Sequence, residues 1–265
     1  MAYEKTVGVI GGTGQLGSAI VRAWLTSGAV SPEKLWISNR SGRNTVFPEW
    51  DGINFSTDNR KLAGNCDCIL LSVPPAHFNC VDIDAGDSLV LSVMAGVTIA
   101  NMEAATGAKR VIRCMSSPAA ELQLAYSVWC AGDGATVDDR ETAQTLFAAC
   151  GVADEVPDER QIDLFTAMTG PVPGFVAFYA KCMTDYAIKR GIDPAVADRA
   201  IRQLFLASGM IFSQSDPSPA DHIREMIDYA GTTAAGLLAM ENSSLYANIE
   251  AGLDAAFEKA QSIAK

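Results

Sequence analysis

Histidine is nearly absent from this 265-residue chain, which has only His77 and His222. Two that far apart are too few for a histidine-rich metal centre or a catalytic triad, and each reads as a surface or loop residue. The seven cysteines, at 66, 68, 80, 114, 130, 150 and 182, include one close pair, Cys66-Asp67-Cys68. That pair lacks zinc spacing and opens an apolar strand, so buried, reduced thiols and no metal site are expected. Basic charge is scarce as well. Lys and Arg number 20 against 31 Asp and Glu, a net charge of −11, which argues against a surface that wraps nucleic acid. No apolar run approaches the ~18 residues needed to span a bilayer, and no basic segment with a cleavage site precedes the first apolar strand. No membrane partner is expected, and the expected compartment is the cytoplasm.

What is present is an ordinary globular composition, 49% apolar and 19% charged. At ~150 residues per domain the length allows one large domain or two modest ones. The first part alternates short apolar runs with helical stretches, the pattern of a parallel sheet wrapped by helices. Strands are expected at 6–10, 35–38, 53–55, 68–73, 89–93, 111–114 and 126–130, with a short one near Val156. A helix over 14–27 is closed by Gly28, and Asp138 and Glu141 have capping-box spacing before another. After Pro157 the strand signals end. Ala197, Ala200, Ile201, Leu204, Phe205 and Ser208 line one face of a helix opened by Asp193-Pro194, an N-cap followed by proline. Leu245, Ile249, Leu253, Ala256, Ala260 and Ile263 form a second stripe on a long C-terminal helix. A second copy of the chain would cover both stripes, as would the first domain. The reading adopted is a homodimer, or a higher oligomer, through the C-terminal helices.

Between the first strand and its helix stands Gly11-Gly12-Thr13-Gly14-Gln15-Leu16-Gly17. It contains G-x-G-x-x-G from Gly12 to Gly17 in the strand-to-helix context that the dinucleotide fingerprint requires. Gly12 is expected to permit the tight turn, Gly14 to let backbone approach a pyrophosphate, and Gly17 to let the helix pack on the strand. The helix N-terminus, with Gln15 and Leu16, faces the anion. The fold class is therefore α/β, a Rossmann-type doubly wound sheet over residues 1–158 followed by an all-α substrate and dimerisation domain over 159–265. At the end of the second strand, where a carboxylate would hold the ribose of NADH, the sequence has Ser38-Asn39-Arg40-Ser41 and then Arg43. A guanidinium and hydroxyls suit a 2′-phosphate, so NADPH is expected over NADH; a solvated polar turn is the other reading of the same residues.

Several segments together resemble the pyrroline-5-carboxylate reductase family, collinearly over nearly the whole chain. Asp58-Asn59 and Leu71-Ser72-Val73-Pro74-Pro75 are similar to the family's nucleotide-contacting asparagine and Val-Lys-Pro turn, with Pro74 where lysine is usual. Ser92-Val93-Met94-Ala95-Gly96-Val97 is similar to Ser-x-x-Ala-Gly-Val, and Arg113-Cys114-Met115-Ser116-Ser117 stands where Arg-x-Met-Pro-Asn is usual. The resemblance thus adds Asn59, Val73, Pro74 and Ala95 to the cofactor residues. In the second part, Asp163 through Thr169-Gly170-Pro171-Val172-Pro173-Gly174-Phe175 matches a substrate-domain motif, and Asp228-Tyr229-Ala230-Gly231-Thr232-Thr233 takes the place of Ser-Pro-Gly-Gly-Thr-Thr.

What the resemblance implies is NAD(P)H-dependent reduction of the C=N bond of a small cyclic imine, pyrroline-5-carboxylate or a relative of it. Thr232 and Thr233 would bind substrate at a helix N-terminus, although glycine followed by two hydroxyl residues is also an ordinary capping signal. Thr233 is the choice for a hydrogen bond to the imine nitrogen, since a hydroxyl both donates and accepts. Asp228 replaces a neutral serine. A carboxylate there would disfavour an anionic substrate and favour a cationic one, unless it points into solvent. Two other functions fit the glycine loop: a deazaflavin-dependent NADP oxidoreductase, and a non-catalytic NADPH-binding sensor.

Overall fold

The structure is a computed structural model and describes residues 3–263. Val7-Gly8-Val9-Ile10 forms β1 near the middle of one sheet, flanked by β2 (Leu35–Ser38) and β4 (Cys68–Leu71). β3 (Asn54–Ser56) extends it on one side, and β5 (Leu89–Ser92), β6 (Arg110–Met115), β7 (Ala125–Ala131) and β8 (Gly151–Glu155) on the other. The order is β3-β2-β1-β4-β5-β6-β7-β8. Neighbouring residues of a strand point to opposite faces. Cys68 and Leu70 accordingly enter one core with Val7, Val9, Leu35 and Ile37, while Ile69 and Leu71 enter another with Ile10, Val90 and Val111. The helix α1 (Gln15–Ser27) buries Ile20 and Trp24 in the first core, and Trp24 Nε1 donates to Leu146 O at 2.7 Å. On the second face α2 (Asn59–Ala63) supplies Leu62, α3 (Ile99–Thr106) supplies Met102 and α5 (Arg160–Met168) supplies Ile162.

The sheet is not wholly parallel: β7 runs antiparallel to β6. Residues 116–124, containing a 3₁₀ turn at Pro118–Leu122, are all that join the two. That is too short for a crossover helix, which parallel neighbours need. The helix α4 (Val137–Ala148) is capped by Thr136, whose side chain accepts from Asp139 N while Asp139 accepts from Thr136 N at 2.9 Å. The box therefore lies two residues before the expected Asp138–Glu141, because Thr136 has the extended backbone of an N-cap while Asp138 already lies in the first helical turn. Gly28 does close α1, in the left-handed conformation at φ 71°.

By packing, the chain divides into a unit running to Val172, to which the stretch from Ala255 returns, and a second unit, Pro173–Asp254. The sequence boundary at 158 differs because α5 belongs to the sheet unit, with Ile162 1% exposed in its second core. The second unit contains α6 (Gly174–Lys189), α7 (Pro194–Gln214), α8 (Pro219–Asp228), α9 (Thr232–Glu241) and the start of α10 (Leu245–Ser262). Asp193 caps α7 as the sequence indicates, accepting from Ala195 N and Val196 N. Among its described residues only Ala197 and Ala234 are buried, while Phe178, Tyr186 and Leu206 are 60–70% exposed. No helix among the described residues is long and apolar enough to cross a membrane.

Candidate functional site

At the C-terminal ends of β2, β1 and β4 a groove of about 730 Å³ opens over the glycine loop. Gly11, just after β1, takes φ 86°, and a Cβ there would lie 2.4 Å from Ser72 O. The tight turn thus falls on Gly11, one residue before the position the fingerprint suggests. Gly12 instead faces the core, where a Cβ would meet Val9 and Ile37 side chains at 3.0 and 3.1 Å. Gly14 N donates to Gly11 O at 2.9 Å, and Gly14 lines the groove. A Cβ on Gly17 would come to 2.5 Å from Gly11 O, so the first turn of α1 presses directly on the loop. No side chain caps α1, leaving its N-terminus with Gln15, Leu16 and Gly17 as a site for an anion. Gln15, Leu16, Gly17 and Gly12 do not themselves line the groove.

The β2 wall is made by Ser38, Asn39, Arg40 and Ser41. Asn39 spends its side chain on the loop itself: Oδ1 accepts from Gly42 N at 2.7 Å and Ser41 N at 3.1 Å, and Nδ2 donates to Arg43 O at 3.0 Å. Folding the loop this way leaves the Arg40 and Arg43 guanidiniums without a hydrogen bond or ion pair among the described residues, and Arg40 lines the groove. Ser38 Oγ donates to Asn59 Oδ1, which orients Asn59 in the lining. Its neighbour Asp58 is turned away, capping α2 through Arg60 N at 2.9 Å and Lys61 N at 3.2 Å. No Asp or Glu lines the groove. Glycine backbone, hydroxyls, one guanidinium and no carboxylate fit a phosphorylated dinucleotide.

The third wall holds Val73 and Pro74 together with His77, which the sequence marks only as a surface or loop residue, and Cys80, which it marks only as a buried thiol. Thr13, a variable position of the glycine fingerprint, also lines the groove, as do Thr45 and Thr57, which no motif marks. Ala95 sits half-buried in the turn after β5 and does not line it. Cys80 and Cys182 are exposed, against the expectation of seven buried thiols; the other five are buried. Burial, with Asp67 adding to it at Cys66, pushes the Cys66 thiol up to about 12, and burial alone takes Cys150 to about 12. Neither is a thiolate nucleophile at neutral pH. No group of three or more His, Cys, Asp or Glu among the described residues is placed to hold a metal ion.

The Arg-x-Met segment begins with an arginine at the centre of a partly buried ion cluster. Arg113 is 1% exposed, its guanidinium bonded to Glu159 at 3.2 Å and to Asp163. Glu159 also accepts Ile99 N at 2.8 Å. Beyond it, Ser127 Oγ of β7 donates at 2.8 Å to Ser116 Oγ, the first residue of the Ser116-Ser117 pair that takes the place of Pro-Asn. Asp163, the first residue of the substrate-domain motif, thus fixes α5 on β6, and Thr166 and Thr169 turn their hydroxyls back on Ile162 O and Phe165 O.

In the second unit Gly231 caps α9 in extended backbone with no side-chain cap, and Thr232 and Thr233 are exposed in its first turn. Ala230 before them has φ 56°, a left-handed conformation that alanine rarely takes. Asp228 is the exposed last residue of α8, with no hydrogen-bond or ion-pair partner among the described residues. His222 bonds Ser215 Oγ at 3.1 Å, at the other end of α8.

Comparison with known proteins agrees with this layout. A family profile described as "Pyrroline-5-carboxylate reductase dimerisation" matches residues 159–263. Another, "NADP oxidoreductase coenzyme F420-dependent", matches 6–96. A pyrroline-5-carboxylate reductase of Methanosarcina acetivorans is 30% identical over 271 aligned positions, covering 97% of this chain and 94% of that one. The chain belongs to the pyrroline-5-carboxylate reductase family. Pyrroline-5-carboxylate reductase 2 of Bacillus subtilis is likewise 30% identical, over 90% of this chain and 88% of its own. Among solved structures, the Coxiella burnetii pyrroline-5-carboxylate reductase superposes with a TM-score of 0.89 at 22% identity over 99% of this chain and all of its own, a likeness of fold. Members of the family are oxidoreductases, and the helical part of this chain is similar to the family's dimerisation domain over 159–263.

Proposed function

We propose that this protein uses NADPH to reduce the C=N bond of a small cyclic imine, converting pyrroline-5-carboxylate, or a close relative of it, to the cyclic amine. Whole-length likeness to reductases of that name carries the reading. The groove supports it, since its glycine cradle and carboxylate-free lining fit NADPH. Gly14 and the α1 N-terminus would hold the pyrophosphate, Asn59, Val73 and Pro74 the riboses, and Arg40 with Ser41 the 2′-phosphate. When bound, NADPH supplies a hydride from its nicotinamide ring. The chain's own task is to hold the imine and its proton. In this reading the α9 amides and Thr232 bind the substrate's carboxylate, and Thr233 hydrogen-bonds the ring nitrogen before and after reduction. An unactivated hydroxyl orients and relays a proton without acting as a strong base.

Asp228 bears on the substrate. A carboxylate in place of the usual serine, about 4 Å from a substrate carboxylate, would weaken binding by about 1 kcal/mol or more and would favour an imine carrying extra positive charge. We further infer a homodimer through the helices of the second unit, whose exposed Phe178, Tyr186 and Leu206 call for a covering surface, and a cytoplasmic setting. A monomeric mass by light scattering at micromolar concentration would overturn the first. The deazaflavin-dependent alternative rests on 6–96 alone, the nucleotide half, and leaves the match at 159–263 without a role.

The test is NADPH oxidation followed by absorbance across a panel of cyclic imines that includes pyrroline-5-carboxylate and imines lacking the carboxylate. Turnover of at least one imine is expected. NADPH binding without turnover of any imine would replace this reading with a nucleotide sensor.

A further inference from the structure

Pro74, His77 and Cys80 follow one another at intervals of three, and all line the same wall of the groove. Pro75–Cys80 is a 3₁₀ helix capped by Pro74, and at three residues per turn every third side chain falls on one face. Pro74 stands where similar enzymes have a lysine, and it has no donor to offer. One turn further along the same face, His77 brings a basic ring back to that wall. The ring is exposed and makes no hydrogen bond or ion pair among the described residues, while the His77 backbone N–H is taken by Pro74 O at 2.8 Å. The turn is therefore held by its backbone, and the imidazole is free to meet a ligand.

The charges around this ring favour an anion. The lining side chains that bear or can bear charge are Arg40 from the loop after β2 and, on the His77 wall, Cys80. Carboxylates on the flanking elements are committed elsewhere: Asp58 caps α2, and Asp82 is bound by Arg60 at 2.7 and 2.9 Å. In the sheet order β2-β1-β4, Arg40 and His77 stand on opposite sides of the glycine loop. The wall with Arg40, Arg43 and the β2 hydroxyls is the one suited to a 2′-phosphate. That leaves His77 to the part of the dinucleotide common to NADPH and NADH.

We propose that His77 is a cofactor-contacting residue that donates to the pyrophosphate and ribose portion of the dinucleotide, replacing by one 3₁₀ turn the lysine that Pro74 displaces. This rests on the reading of the groove as a dinucleotide site. The experiment is calorimetric titration of the full-length protein with NADPH and with NADH, comparing wild type with His77→Ala, His77→Lys and Arg40→Ala. His77→Ala is expected to weaken both dinucleotides by roughly five- to tenfold, the loss of one hydrogen bond to a charged group. His77→Lys is expected to bind both within about twofold of wild type, since a lysine supplies the same donors from the same turn. Arg40→Ala is expected to weaken NADPH alone. Unchanged affinities in His77→Ala, or a loss confined to NADPH, would overturn the proposal, as would failure of His77→Lys to restore binding in a variant whose unfolding midpoint matches wild type. Failure of the wild type to bind either dinucleotide would sink the underlying reading instead, and so is separable from failure of the His77 assignment.

Discussion

Replacing Arg113 by methionine removes a cation that is itself almost wholly out of water from between two partly buried carboxylates. Arg113 is 1% exposed, Asp163 14% and Glu159 30%. The two carboxylates do not lose equally. Glu159 retains Ile99 N at 2.8 Å and access to solvent, whereas Arg113 is the one partner of the Asp163 side chain among the described residues. Breaking a buried pair from one side costs about 3–5 kcal/mol, because the remaining charge is left unmatched in a poor solvent. Part of any pair's apparent strength is this penalty, so removing both members costs much less. Arg113→Met is therefore expected to lose about 3 kcal/mol or more, and Arg113→Met with Asp163→Leu to recover about 2 kcal/mol of that. Urea unfolding at one fixed protein concentration measures both, since the stability of the proposed dimer would depend on concentration. A loss below about 1 kcal/mol for the single variant, or a double variant no more stable than the single, would refute the claim that Arg113 is the electrostatic anchor of α5.

Other perturbations give distinct readouts. Ala230→Gly removes a left-handed alanine at φ 56° and is expected to raise stability by about 1 kcal/mol in the same urea assay, an unchanged midpoint counting against strain there. Gly17→Ala places a Cβ 2.5 Å from Gly11 O; the loop must shift, and NADPH affinity by calorimetry should fall by about tenfold or more. Asp228→Ser is expected to raise kcat/KM on pyrroline-5-carboxylate about fivefold by removing like-charge repulsion, and an equal or lower value would sink the assigned role. Asp67 accepts hydrogen bonds from the Thr6 hydroxyl at 2.7 Å and Thr6 N at 2.8 Å, and these lower its pKa. A lowered folded value means stability that is present above the unfolded carboxylate range of about 4 and lost as pH falls through the folded value. Asp67→Asn should therefore flatten the acid limb of an unfolding-versus-pH curve, and parallel limbs would contradict the assignment.

The sheet was readable in the sequence because its strands are short apolar runs broken by glycine and polar turns: every expected strand from 6–10 to the one near Val156 has its counterpart in β1 to β8. Direction was harder to read. The β6–β7 reversal follows from the length of residues 116–124, a property of the connection that strand composition does not carry. The boundary expected at 158 coincides with the start of the family match at 159, whereas packing divides the chain at Val172. Sequence period does not anticipate that difference, since a helix packed on a sheet and one packed on other helices share the same 3.6-residue period. At the site, glycines, Arg40 and Asn59 lie in motifs with recognisable spacing. His77 went unnoticed as a groove residue because its placement depends on a three-residue period in a six-residue 3₁₀ helix, which hydrophobic patterning does not reveal. Arg113 appeared as one letter of a motif, and only its burial against Glu159 and Asp163 makes it structural.

The most direct test follows the hydride itself. Incubating the protein with pyrroline-5-carboxylate, or with the imine that turns over best, and NADPH deuterated on the transferring face of the nicotinamide should yield a cyclic amine carrying a single deuterium on the carbon that was double-bonded to nitrogen, as read by mass spectrometry and NMR. Consumption of the labelled cofactor with deuterium found in no amine product, or an amine formed without the label, would contradict the account.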